Sequence, residues 1–177
     1  MDCPKCHQTT VAGSGSMVCP LCGFDLGPLQ QRLRMMYAIS FGLFVSVAIY
    51  GGLVWFLEQQ ADFRASVASL PPALPYVFLA LGVVVFGIAA QVLRKRVLTA
   101  PSMAAVQTLT IIRLALAESI AIYGFVLYLV GRSVEWFVIL LGLSFLTFLF
   151  IAASMPQVAR RMAELALAEE ANGGLTP

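Results

Sequence analysis

Two groups of residues in this chain are of a kind that does chemistry. The first is Cys3-Pro4-Lys5-Cys6 and Cys19-Pro20-Leu21-Cys22-Gly23, two C-x2-C pairs separated by twelve residues. Two-residue spacing lets both thiolates of a tight turn face one ion, and two such turns complete a tetrahedron suited to Zn²⁺, at about 2.3 Å per sulfur. Proline stiffens each turn, and Gly23 frees the backbone where N–H groups would point at sulfur. With Cys3, Cys6, Cys19 and Cys22 all committed, no coordination position stays open, so the expected zinc is structural. The second group is Arg113 and Glu118, both inside the apolar run Gln107 to Gly131, QTLTIIRLALAESIAIYGFVLYLVG. A carboxylate near the middle of a bilayer is costly and by default functional.

The cysteines admit two other readings. Cys3 to His7 spells C-x-x-C-H, the attachment pattern of c-type haem. That chemistry needs export, for which no leader is expected here, and the second C-x-x-C lacks the histidine. Disulfides are disfavoured if the head faces a reducing cytosol. His7 is then an exposed neighbour of the metal site. The head resembles the short N-terminal zinc ribbons of many small bacterial membrane proteins, over residues 3 to 24 and on its Cys-Pro-x-Cys pairs. The resemblance implies a structural or protein-contact role. So short a segment buries too little core to fold alone, so metal binding is expected to supply most of its folding free energy.

The rest of the chain must position the intramembrane pair. Of 177 residues, 60% are hydrophobic and only 11% charged, against about 25% charged in soluble domains. The apolar residues fall in long runs, the signature of membrane spans. The expected architecture is an all-α membrane protein: a zinc ribbon over 1–27, a four-helix transmembrane bundle over 28–156, and a cytosolic helix and tail over 157–177. The spans are expected at about 34–57, 76–93, 109–130 and 134–155. Pro28 suits a helix start, and Ser102 suits an N-cap for the third helix. The Arg94-Lys95-Arg96 cluster should end the second span, and Pro156 the fourth. Gly42, Gly51, Gly52 and Gly142 read as packing positions. Without an apolar run at the N-terminus, no cleavable signal peptide is expected.

Flanking charge sets orientation. In a four-pass arrangement Lys5, Arg32, Arg34, Arg94, Lys95, Arg96, Arg160 and Arg161 share one side, whereas only Arg64 and Arg132 lie on the other. Both termini are therefore expected in the cytosol of a bacterial inner-membrane protein. Trp55, Tyr76, Tyr128 and Trp136 gather at the outer interface. In the tail, Val158, Met162, Leu165 and Ala166 recur at helical spacing, and the plainer expectation is a solvated or membrane-lying helix without a specific partner.

Five positions separate Arg113 from Glu118, so they share no helix face and differ by about 7.5 Å along the axis. Arg113 is expected to snorkel back toward the inner interface. Glu118 must face protein, water or a polar partner, or keep its proton; Tyr123, Tyr50 and Ser46 could provide hydrogen bonds. Ala115, Ala117, Ser119, Ala121 and Gly124 nearby are small enough to admit another helix. The segment Leu116-Ala117-Glu118-Ser119-Ile120-Ala121-Ile122-Tyr123-Gly124-Phe125-Val126-Leu127 resembles the carboxylate-bearing helix of the c subunit of rotary ATP synthases. That resemblance implies a proton or Na⁺ on Glu118. It covers about twenty-five residues, and a first and a fourth span lie outside it.

A net charge of +2 gives no reason to expect nucleic-acid binding. No phosphate loop or HExxH motif is present, and His7 is the only histidine, which leaves a histidine-based hydrolase without its base. The expectation is a non-enzymatic scaffold in contact with lipid and with a protein partner or further copies of itself. The alternative is a proton- or Na⁺-binding membrane protein.

Overall fold

Long runs of Leu, Val, Ile, Phe and Ala can satisfy their backbone groups in hydrocarbon only by closing helical hydrogen bonds. The computed structural model describes residues 5, 6, 22, 27–60 and 71–171, and all regular structure among them is helical. Helix α1 is Gly27–Gln59, α2 is Leu74–Leu98, α3 is Met103–Gly131 and α4 is Val134–Ala171. All four contain a stretch long and apolar enough to cross a membrane. The helical bundle is therefore as expected, whereas most of residues 1–27, where a ribbon is expected, including Cys3 and Cys19, lies outside the described residues, as does Arg64.

Local signals fix the ends. Pro28 stands in the first turn of α1. The Ser102 hydroxyl accepts from the Ala105 N–H at 3.3 Å, capping α3. At the other end of α3, Arg132 adopts φ 57°, a left-handed conformation that stops the helix, and its N–H donates to the Tyr128 carbonyl at 2.8 Å. Helix α2 continues through the Arg94-Lys95-Arg96 cluster to Leu98, further than expected, and widens to a π turn over Ile88–Val92.

The centre is the pair α3–α4. Ala117 and Ala121 are fully buried, and a Cβ on Gly124 would stand 3.0 Å from the Leu140 Cβ and 3.2 Å from the Phe137 carbonyl oxygen. The Ser144 hydroxyl donates to the Ala117 carbonyl at 2.7 Å across this seam. Helices α1 and α2 each lean on the pair without touching one another. On α2, Gly82 admits Leu140 and Leu143, each 3.2 Å from where its Cβ would be. Gly42, Gly52 and Gly142 correct the sequence reading: among the described residues nothing lies within 4 Å of a Cβ at any of them, so they do not pack against the other described helices. Large exposed side chains such as Phe41, Ile49, Val84 and Phe150 form the outer wall, as a lipid-facing surface requires.

The helix that carries the fourth span does not end at Pro156. Helix α4 passes through this proline to Ala171. The proline ring is exposed, and the arm beyond it is held by its own apolar face. Val158 is 1% exposed and Met162 fully buried, in a cluster with Leu29, Leu33, Val97, Ala100 and Met103. The tail is thus docked on the ends of α1, α2 and α3, because its apolar stripe matches theirs. Polar ties reinforce the dock: Arg161 donates to the Ala100 carbonyl at 3.1 Å and Arg94 to Gln157 at 2.9 Å. Arg32, Arg34, Arg94, Lys95, Arg96, Arg160 and Arg161 therefore belong to one end of the bundle. The opposite end carries Val54, Tyr128 and Phe137, with Tyr76 edge-on to Trp136 at 5.1 Å.

The close seam yields a stability prediction. Gly124→Ala forces a methyl against a backbone carbonyl and should lower unfolding free energy by about 1–3 kcal/mol. Gly42→Ala, facing open space, should cost nothing. Thermal unfolding in mild detergent distinguishes the two.

Candidate functional site

Arg113 is 1% exposed, the largest fully buried side chain among the described residues, so it does not snorkel. It points sideways into the bundle. Its Nε donates to the Ala89 carbonyl on α2 at 2.9 Å, and one terminal nitrogen donates to the Ser154 hydroxyl on α4 at 3.2 Å. The backbone of α2 explains why Ala89 can accept. In an α-helix the Leu93 N–H would donate to Ala89; in the π turn it donates to Ile88 instead. The turn thereby directs a carbonyl at the guanidinium, and the buried cation gains two acceptors where it would otherwise pay desolvation alone. Ser154 in turn donates to Ile151 at 2.7 Å, so its lone pairs face Arg113.

Glu118 lies about 140° further round α3, as five residues at 100° each demand, and so faces α1. It is half-buried and hydrogen-bonded to the Ser46 hydroxyl. Tyr50, one turn along α1 from Ser46, stands beside the same carboxyl and stacks on Phe125 with centroids 5.4 Å apart. Tyr123 does not join this group. It faces α2, against Phe78 at 5.7 Å, because it too stands five positions from Glu118. Arg113, Glu118 and Tyr123 thus belong to separate faces of α3, and only Glu118 meets two of its anticipated partners.

A third polar group, at the end of the bundle away from the arm, was not anticipated. The buried Tyr128 hydroxyl donates to Glu58 at 2.8 Å, and the Arg132 guanidinium lies 5.8 Å from the Tyr128 ring centroid. Tyr128 read as an interfacial aromatic because nothing in sequence spacing links residues 70 apart.

Of the cysteines, Cys6 and Cys22 are described. One comes from each C-x2-C pair, both are half-buried, and both pack against the same apolar cluster as Ala166 and Leu167 of the α4 arm. No family model, curated protein or solved structure matches the chain. Among the described residues no three His, Cys, Asp or Glu side chains converge on a common point. Two of the four expected thiolates lie outside them.

The Arg113 contacts join three helices through one side chain. Arg113→Met should leave the Ala89 carbonyl without this donor and lower stability by about 1–3 kcal/mol, whereas Ser154→Ala should cost about 1 kcal/mol. Thermal unfolding of the two variants and their double mutant in detergent should show coupling, since they share one hydrogen bond.

Proposed function

We propose that this protein is an integral membrane scaffold that mounts a zinc ribbon on the arm of α4, at the basic end of the bundle, for contact with a protein partner. The observation that carries this reading is the shared cluster of Cys6 and Cys22 with Ala166 and Leu167. A four-thiolate site needs both C-x2-C turns in one place, and one cysteine from each turn is found there. Cys3 and Cys19 would complete the set. Bound zinc would supply the folding free energy that so short a head lacks. The arm gives the head a rigid seat, since Val158 and Met162 are locked in the same cluster as the ends of the other helices. By its arginines and lysines, this end of the bundle faces the cytosol. No residue is assigned a catalytic role.

Purified protein should carry one zinc per chain by elemental analysis, and Cys19→Ser should lose it. Leu167→Asp should keep the zinc and yet release the head, seen as faster proteolysis of residues 1–27. A partner captured from intact membranes should be lost in both variants. A zinc-free wild type, or a partner set unchanged by Cys19→Ser, defeats the proposal.

A second reading, a proton-binding site at Glu118, draws on the Ser46 hydroxyl. It has one hydrogen and two acceptors in reach, the Leu43 carbonyl at 2.7 Å and Glu118. With its hydrogen on Leu43, Ser46 can only accept, which requires a protonated Glu118. Turned to Glu118, it supports the carboxylate, with the Tyr50 side chain beside it. A hydrophobic carbodiimide should label Glu118, with suppression by Na⁺ or high pH, and Ser46→Ala should move the pH at which labelling falls. An unreactive Glu118 rejects this reading.

A further inference from the structure

We propose that the cleft between the first turns of α1 and the start of α3 binds a phosphate group, that of an anionic phospholipid at the membrane surface. A cavity of about 390 Å³ opens there, lined by Pro28, Gln31, Arg32, Met35 and Gln107. Its volume falls within the range of small-ligand sites. Positions 28, 31, 32 and 35 repeat at i, i+3, i+4 and i+7, so they form one face of α1, extending about 10 Å along the axis. Gln107 closes the opposite wall from α3, and its amide donates to the Met35 sulfur at 3.5 Å, which ties the two walls together.

The lining has one sign of charge. Among the described residues Arg32 is its only ionic group, and no described carboxylate lines the cavity. Within the structure Arg32 makes no hydrogen bond, ion pair or ring contact. Arg161, by contrast, has both a carboxylate and a carbonyl. A half-buried guanidinium beside two carboxamides is a fork of N–H donors aimed into a cavity that offers no acceptor of comparable strength. Phosphate oxygens match that fork. The long apolar run of α1 begins at Met35, so Arg32 stands at headgroup depth if α1 crosses the bilayer. Pro28 and Met35 offer apolar contact to a glycerol backbone. Basic pockets between helices at the cytoplasmic surface are a recognised mode of headgroup binding. The inference is independent of the ribbon and of Glu118.

The test uses the full chain, reconstituted in bilayer discs of phosphatidylglycerol and phosphatidylcholine, extracted in mild detergent and weighed by native mass spectrometry. Wild type should retain phosphatidylglycerol over phosphatidylcholine. Arg32→Gln should reduce that retention about tenfold, the loss of one charge-assisted hydrogen bond. Gln107→Leu should reduce it less, and Arg34→Gln, outside the cavity, should leave it unchanged. Unchanged thermal unfolding certifies the fold of each variant. Retention that excess inorganic phosphate does not displace identifies lipid as the source. Tight binding of inorganic phosphate by lipid-free protein, lost in Arg32→Gln, would keep the phosphate site but overturn its assignment to lipid. Equal loss in Arg32→Gln and Arg34→Gln, or none in Arg32→Gln, overturns the site altogether.

Discussion

A guanidinium with almost no access to solvent must find acceptors inside an apolar bundle, and the surrounding helices are shaped by that demand. Backbone carbonyls of an α-helix are committed to their own amides, so they are poor acceptors for a side chain from elsewhere. Widening α2 by one residue over Ile88–Val92 moves the Leu93 amide to Ile88 and turns Ala89 to Arg113. The cost of a less regular turn is offset by a satisfied buried cation. Because Ser154 on α4 takes a second nitrogen, one side chain of α3 fixes two neighbouring helices at the same level.

The seam between α3 and α4 follows a different rule. Hydrophobic association gives little advantage between helices already surrounded by lipid, so close approach and interhelical hydrogen bonds matter more. Ala117, Ala121 and Gly124 provide the approach, and Ser144 provides the bond. Helices α1 and α2 then occupy separate flanks of this pair. That separation sends Glu118 to α1 and Arg113 to α2 and α4, though both sit on one helix.

The two ends of the bundle differ in construction. At one end a tyrosine, a glutamate and an arginine close a polar cluster under an aromatic rim. At the other, α4 extends past its proline and packs as a fourth wall over the ends of α1, α2 and α3. The arm lies where the basic residues gather, and its Ala166 and Leu167 pack against the same apolar cluster as two of the four cysteines. Charge and packing therefore bear on one region, the one in which the scaffold proposal seats the head.

Composition and periodicity determined the four apolar helices, the Ser102 cap and the clustering of basic residues, because each follows from interactions within a few residues or from averages over twenty. The same local logic placed Arg113 and Glu118 on different faces of one helix. It could not say which neighbour each face meets. The π turn has no residue signature in Ile88-Ala89-Ala90-Gln91-Val92, so the acceptor for Arg113 was illegible, and a snorkelling arginine was the natural expectation. Pro156 read as a stop, since proline removes one helical hydrogen bond; tertiary burial of Val158 and Met162 outweighs that local loss. Ser46 and Tyr50 were visible as polar residues in α1, but only the packing of α1 on α3 brought them to Glu118. What the chain alone decides is which surfaces need partners; which partners they find depends on contacts between residues far apart in sequence, where no spacing rule reaches.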